Sequence, residues 1–263
     1  MMENYQAIQF EITDGVAALT LNRPDQLNAI SNRMLEEIAE AVGRLESEGA
    51  RALLLTGAGR AFCSGADLSE MSNIPPEERD AGIRLEKWLN PLLERLRTLP
   101  MPVVAAVNGP AVGAGSGLAL AADIVLAARS AFFLLPFARI GFVPDVGSTW
   151  LLPRLVGKAR AMGMMLLGDK ISAEQAQDWG LIWKSVADEE LMQAATDRVR
   201  TLAAGPTLAY ARMRAAVAQG LESDFSDSIA LERRNQAECG RTHDHLEGVA
   251  AFREKRRPSF KGQ

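Results

Sequence analysis

From Thr98 to Ala122 the chain runs 25 residues without a charged side chain, and the way this stretch folds limits what the rest can be. It is long enough to span a bilayer. However, Pro100, Pro102 and Pro110, with Gly109, Gly113, Gly115 and Gly117, would break the continuous backbone hydrogen bonding that lipid demands. The stretch therefore reads as protein interior: a buried strand at 103–107, a glycine-rich turn, and a small-residue helix at 114–122. A fully apolar strand needs strands on both sides and cover on both faces, which points to an α/β core.

The flanking segments supply that cover. Two strands, 8–12 and 16–21, meet at Asp14-Gly15, a two-residue hairpin signal. A helix over 31–45 carries Met34, Leu35, Ile38, Ala41, Val42 and Leu45 at helical spacing, with Ser31 placed to cap it. Residues 51–56 make a third strand. Residues 69–78 are polar and proline-containing and read as a mobile loop, followed by a helix over 79–97. Strands at 123–128 and 132–135 follow. After Pro144 strand signals stop. Helices are expected at 147–155, 158–167, 172–179, 189–204, 206–219, 222–239 and 244–255. Strand–helix units first and helices afterwards divide the chain into an α/β core, 1–200, and a helical C-terminal region, 201–263.

Several chemistries are excluded. With 263 residues, 48% of them hydrophobic and 24% charged, the chain is globular and not disordered. A net charge of −4 speaks against general nucleic-acid or membrane-surface binding. Cys63 and Cys239 are the only cysteines, too few for a disulfide framework or a four-thiol metal site. With no signal-peptide pattern, they fit a reducing, cytoplasmic setting. Residues 113–118 and 57–62 each fail G-x-G-x-x-G at the last glycine, and no P-loop motif occurs. The only histidines, His243 and His245, show no metal-ligand spacing. No metal and no separate cofactor is expected. Carboxylates and backbone amides remain. Residues 60–68 and 107–118 are glycine-containing turns after buried strands, and the second opens a helix. Free N–H groups in two facing turns of this kind would hold an oxyanion; tight helix–sheet packing explains the same residues equally well.

Leu21-Asn-Arg-Pro-Asp-Gln-Leu-Asn28, Ser64-Gly-Ala-Asp-Leu68, Asn108-Gly-Pro-Ala-Val-Gly-Ala-Gly115, Ala122-Asp-Ile124, Gly141-Phe-Val-Pro144, Gly168-Asp-Lys-Ile-Ser-Ala173 and Phe252-Arg-Glu-Lys255 resemble the enoyl-CoA hydratase/isomerase (crotonase) superfamily, from end to end of the chain. The resemblance implies a spiral of ββα repeats with a helical trimerisation region, trimers or hexamers, and an acyl-CoA thioester substrate. It also implies that the amides of Ala66 and Ala114 hold the thioester oxygen. Arg23, Ser64, Ala66, Asp67, Leu68, Phe252 and Lys255 would bind coenzyme A as part of the substrate. Gly113, Gly117, Phe137, Val143 and Trp150 would line the acyl pocket. The two glutamates that handle water in the family's hydratases fall at Gly117 and Phe137, which speaks against hydration by that route. Asp145 is the carboxylate left nearby. It either caps the next helix or, as in some isomerases of the family, acts as the base, and among Phe137, Val143 and Trp150 its pKa should be raised.

The runs 143–145, 148–154 and 159–163 are similar to the branch that isomerises a ring epoxide of phenylacetyl-CoA. A Δ3–Δ2 enoyl-CoA isomerase needs the same groups. A hydratase and a non-catalytic RNA-binding homologue are further alternatives, but only the short tail is basic: Arg253, Lys255, Arg256, Arg257 and Lys261 against Glu254 leave +4 over 251–263. An aryl-CoA dehalogenase would need a histidine base, and no histidine precedes residue 243.

Overall fold

The computed structural model describes residues 5–72 and 80–263. The Asp14-Gly15 turn has positive φ at both residues, 52° and 76°, which is the twist a tight hairpin requires. It joins β1 (Ile8–Thr13) to β2 (Val16–Leu21) in antiparallel register, Thr13 opposite Val16. From β2 onward the large sheet is parallel, through β3 (Ala52–Gly57), β4 (Val103–Val107), β6 (Ile124–Ala128) and β9 (Lys184–Val186). Every residue of β4 is buried, as an apolar strand with partners on both sides must be. A second sheet holds β5 (Ala111–Val112), β7 (Phe132–Leu134) and β8 (Ile171–Ser172).

Helix α1 (Asn32–Arg44) is capped by Ser31, whose hydroxyl accepts the Met34 N–H at 3.1 Å. After the turn α2 (Ser69–Ser72), the chain re-enters at α3 (Ala81–Arg84), makes one π-helical turn over Leu85–Leu89, and continues as α4 (Asn90–Thr98). Helix α5 (Ala114–Leu120) is buried at all seven residues, which its small side chains permit. Helix α6 (Ser148–Leu167) breaks at Gly157, φ 76°, so the two separate helices expected there are two segments meeting at a kink. Helix α7 (Ala173–Asp178) precedes β9, and α8 (Leu191–Ala203) lies across β2, β3, β4 and β6. The chain ends in α9 (Thr207–Gly220), α10 (Phe225–Cys239) and α11 (His243–Glu254). Neither α9 nor α10 contains a buried residue, and Met213, Val217, Phe225 and Ile229 stand exposed on them, with Leu221 exposed between them.

Three expectations need correction. Strands do not stop at Pro144: β8 and β9 follow it, but they are two and three residues long and partly polar, too short for periodicity to register. Within the polar segment at 69–78, Ser69–Ser72 is a helical turn, and 73–78 lie outside the described residues. The 79–97 helix is described from Ala81 and contains the π-turn, which no residue type signals. The uncharged 98–122 stretch runs through β4, β5 and α5, and no helix among the described residues is long and apolar enough to cross a membrane.

Glu37 ties the N-terminus to α1. It is buried, 3% exposed, and accepts hydrogen bonds from the N–H groups of Gln6, Ala7 and Ile8 and from Arg33. Burial pushes its carboxyl up, but the Gln6 and Ala7 N–H groups and Arg33 outweigh that and hold its pKa below the ordinary glutamate value. A pKa lowered on folding contributes stability above the unfolded value and loses it as pH falls through the folded one. Glu37→Gln should therefore destabilise the protein by about 1.5–3 kcal/mol at pH 7. In urea titrations the difference should shrink below about pH 4.

Candidate active site

The site is built from the loops beyond the carboxyl ends of β3 and β4, where parallel sheets collect ligands. Two asparagines, Asn28 buried and Asn108 partly buried, shape the loop after β3. Asn28 donates to the carbonyls of Ala58 and Ala61 at 2.9 and 2.8 Å, and Asn108 donates to Gly59 at 2.9 Å while accepting from the Gly57 N–H. The chain then passes Cys63, which bridges in parallel to Ala111, and Ala66, which bridges to Ile30. At Gly65, φ 97°, a side chain would lie 2.9 Å from the Val112 carbonyl and 3.7 Å from the Ala114 nitrogen. The two glycine-containing turns are thus in backbone contact.

Ala66 and Ala114 line the same cavity, of about 420 Å³. Among the described residues neither N–H has a hydrogen-bond acceptor. Gly113, with φ 54° and ψ −121°, turns the chain into α5 and leaves the Ala114 N–H on the cavity wall. Phe137, on a 3-10 turn (Pro136–Ile140), packs beside Gly113.

Asp145 lies on the same wall, and its Oδ1 is buried with no hydrogen-bond partner among the described residues. Burial pushes its pKa up to about 6, against its own backbone N–H and the Arg84 guanidinium. It does not cap α6: Gly147 holds that position, and no side chain caps it. Of the two readings of Asp145, helix cap and base, the geometry removes the first. A carboxylate of this kind, with a titration point near neutrality and no competing partner, can accept a proton from a ligand opposite the two amides.

The enoyl-CoA hydratase/isomerase family model matches residues 11–263. The chain belongs to the enoyl-CoA hydratase/isomerase family. It is 47% identical to the 1,2-epoxyphenylacetyl-CoA isomerase of Escherichia coli K12 over 255 residues, 96% of this chain and 97% of that protein. It is also 47% identical to a "Probable enoyl-CoA hydratase" of Rhodobacter capsulatus, over 99% of this chain and 100% of that one. The crystal structure of an enoyl-CoA hydratase from Bacillus anthracis superposes with a TM-score of 0.92 at 34% identity, covering 98% of this chain and 100% of that one. The crotonase fold expected from the motifs is the fold observed.

The two positions at which the motifs imply the hydratases' glutamates are closed in different ways. Phe137 puts an apolar ring on the cavity wall. Gly117 was expected to line the pocket, but it lies behind it: a side chain there would come within 2.5 Å of the Val146 carbonyl, so the turn after Asp145 occupies the space a glutamate needs. Two more pocket assignments are corrected. Val143 is 77% exposed and points away, the cavity wall there being Ile140 and Phe142. Trp150 is held between the guanidinium groups of Arg97 and Arg154, at 4.1 and 4.0 Å, away from the cavity.

The residues expected to hold coenzyme A fall into two groups. Ser64, Ala66 and Leu68 line the cavity, and Asp67, bonded to Ser69 and to Arg23 at 2.8 Å, braces the turn beside it. Phe252 and Lys255 are not brought there. Phe252 is 84% exposed on α11 and lines a separate cavity with Cys239 and His245. Arg84, Glu70 and Trp88 also line the site and were not anticipated, because they flank a segment without periodicity and carry no motif.

Asp145 should act against stability. A carboxyl whose pKa is raised on folding costs free energy wherever it is ionised in the folded state, and the cost fades as pH falls through the folded pKa. Asp145→Asn should therefore stabilise the protein by about 1–3 kcal/mol at pH 8. In thermal melts the gain should diminish through pH 6 and be gone by about pH 4.

Proposed function

We propose that this enzyme is an acyl-CoA isomerase that shifts a double bond or opens a ring epoxide through a thioester enolate. The observation that carries the reading is the placement of Asp145, a carboxyl without an ion pair, in one cavity with two uncommitted amides, while both positions implied for the water-handling glutamates lack a carboxylate.

The thioester oxygen accepts hydrogen bonds from the N–H groups of Ala66 and Ala114. Asp145 takes a proton from the acyl chain, and the electron pair of that C–H bond moves toward the thioester oxygen. Two preorganised donors stabilise the oxyanion, each by about 2.7–4 kcal/mol at the transition state. Returning the proton to a different carbon moves the double bond. With a ring epoxide next to the acidic carbon, the same electron pair forms a new C=C bond and breaks the adjacent C–O bond, and the proton held by Asp145 returns to the freed oxygen. Phe137 keeps the enolate beside an apolar surface, away from water.

The 47% identity to the E. coli isomerase supports the epoxide reading. A Δ3–Δ2 enoyl-CoA isomerase is the second reading, favoured by the apolar wall of Ile83, Trp88 and Phe137. We further propose a homotrimer or homohexamer assembled through the helical region, 201–263. The exposed apolar residues of α9 and α10 support it, as does the distance of Phe252 and Lys255 from the cavity: a neighbouring copy would have to bring them to the nucleotide.

In deuterated water the protein should exchange acyl-chain protons or isomerise 3-enoyl-CoA while hydrating crotonyl-CoA negligibly. Rapid formation of 3-hydroxybutyryl-CoA with no exchange would refute the reading. The exchange rate should rise through about pH 6 to a plateau, and Asp145→Asn should lower it at least about a hundredfold.

A further inference from the structure

Residues 21–28 carry the first of the family motifs, and the isomerase mechanism above gives them no task. Leu27 and Asn28 have positive φ, 51° and 56°, and a leucine adopts that conformation only where its surroundings impose it. Here the surroundings include the turn that bears Ala66. The Leu27 carbonyl accepts from the Ser64 N–H at 3.0 Å. Asn28, which donates to the Ala58 and Ala61 carbonyls, accepts from the Arg23 N–H at 2.9 Å. From this anchored backbone the Arg23 side chain reaches both sides of the Ile30–Ala66 bridge. Its Nη1 donates to the Ala29 carbonyl at 2.7 Å and to Asp67 Oδ2 at 2.8 Å.

That bridge sets the direction of the Ala66 amide. The Ile30 N–H donates to the Gly65 carbonyl at 2.8 Å, and the Ile30 carbonyl accepts from the Asp67 N–H at 3.0 Å. In a parallel ladder the residue between two such bonds turns its own N–H to the opposite side, and Ala66 lines the cavity. Asp67 follows Ala66 directly, so a fixed Asp67 side chain fixes the turn. Its second oxygen accepts from the Ser69 N–H and hydroxyl at 3.1 and 2.6 Å. The side chains of Arg23 and Asp67 are 22% and 12% exposed. The Ser69 hydroxyl, and after it Arg23, outweigh burial and hold the Asp67 pKa below the ordinary aspartate value. An enclosed ion pair that also holds a main-chain carbonyl is a brace, unlike a loose surface pair.

We propose that Arg23 and Asp67 are positioning residues: as one ion pair they hold the Ile30–Ala66 bridge and so aim the Ala66 N–H at the thioester oxygen of the substrate. Their effect is on the polarisation of the carbonyl and not on the affinity for coenzyme A. This rests on the oxyanion reading above and deepens it.

Hexanoyl-CoA isotopically labelled at the thioester carbonyl tests it. Its saturated chain binds without isomerising, and the carbonyl stretch in difference infrared spectra reports hydrogen bonding to the oxygen. On the wild type the stretch should lie at lower frequency than in water. Asp67→Asn offers one acceptor oxygen where the contacts need two. It and Arg23→Met should each lose about half of the shift, the share of one donor in two. The double variant should lose no more than either single one, as for two residues acting as a unit. Arg23→Lys, which cannot fork between both acceptors, should fall between. By calorimetry all should bind free coenzyme A within about threefold of the wild type. A full shift in folded Asp67→Asn overturns the proposal, and so does an additive loss in the double variant. A loss of coenzyme affinity of about tenfold or more with the shift intact makes the pair a coenzyme contact and overturns it too. If Arg23→Met fails to fold, Asp67→Asn, which replaces one oxygen by an amide nitrogen, decides. No downshift on the wild type refutes both this proposal and the oxyanion reading beneath it. The expected shifts without proton exchange refute the isomerase reading alone.

Discussion

The site depends on two stretches of backbone lying against each other. Residues 63–66 and 111–115 touch through a parallel bridge between Cys63 and Ala111, and glycines make the contact possible. A side chain at Gly65 would meet the Val112 carbonyl, and one at Gly115 would strike Cys63. Both segments leave sheet strands at the same end of the core, so the β3–β4 pairing sets their separation. Two residues with uncommitted amides lining one cavity follow from this contact. Because they belong to the backbone, they are as rigid as the sheet, and preorganised donors of that kind need no rearrangement when charge develops. The same contact explains why α5 consists of small residues. It runs through the interior between the sheet and α6, where larger side chains would push the turn and its amide away.

A second packing contact places Asp145. The Val146 carbonyl sits where a side chain at position 117 would be, so the turn carrying the carboxylate lies directly on the helix that presents the Ala114 amide. Donor and proposed base are therefore linked through one glycine. A hydratase-type glutamate at 117 and this turn cannot occupy the same space. The glycine at 117 and the position of Asp145 are two sides of a single packing choice.

Much of this was legible in the residues because local physics dictates it. Asp14-Gly15 could make only a tight hairpin, the apolar spacing over 31–45 with Ser31 ahead of it could hardly be other than α1, and an unbroken apolar run placed β4 in the interior. The two amide-bearing turns were recognisable from glycines following buried strands and from the motifs they belong to. What could not be read depended on distant packing. Trp150 is drawn from the cavity by two arginines, one on α4 and one on its own helix. Val143 is turned outward by a proline-containing turn. Short β8 and β9 exist because neighbouring strands offer free edges, and Lys184 in β9 gives no hint of it. Arg84 was invisible because its contacts with the Ile30 carbonyl and Glu70, and its place on the cavity wall, arise only in the folded chain. Phe252 and Lys255 are the opposite case: their motif was plain, but one copy of the chain leaves both of them away from the cavity.

The charges around the cavity make the final connection. An isolated carboxylate as buried as Asp145 would titrate still higher than about 6, and Arg84 is one of the groups that pull it back. Yet Arg84 is not a full partner to it, because Glu70 shares the guanidinium. Had Arg84 paired directly with Asp145, the carboxylate would be a strongly depressed acid and a poor base at neutral pH. Its own backbone N–H first, and Arg84 after it, pull the buried Asp145 carboxyl back to about 6. Burial without a direct ion pair is thus what gives Asp145 a carboxyl suited to the proton transfer proposed for it.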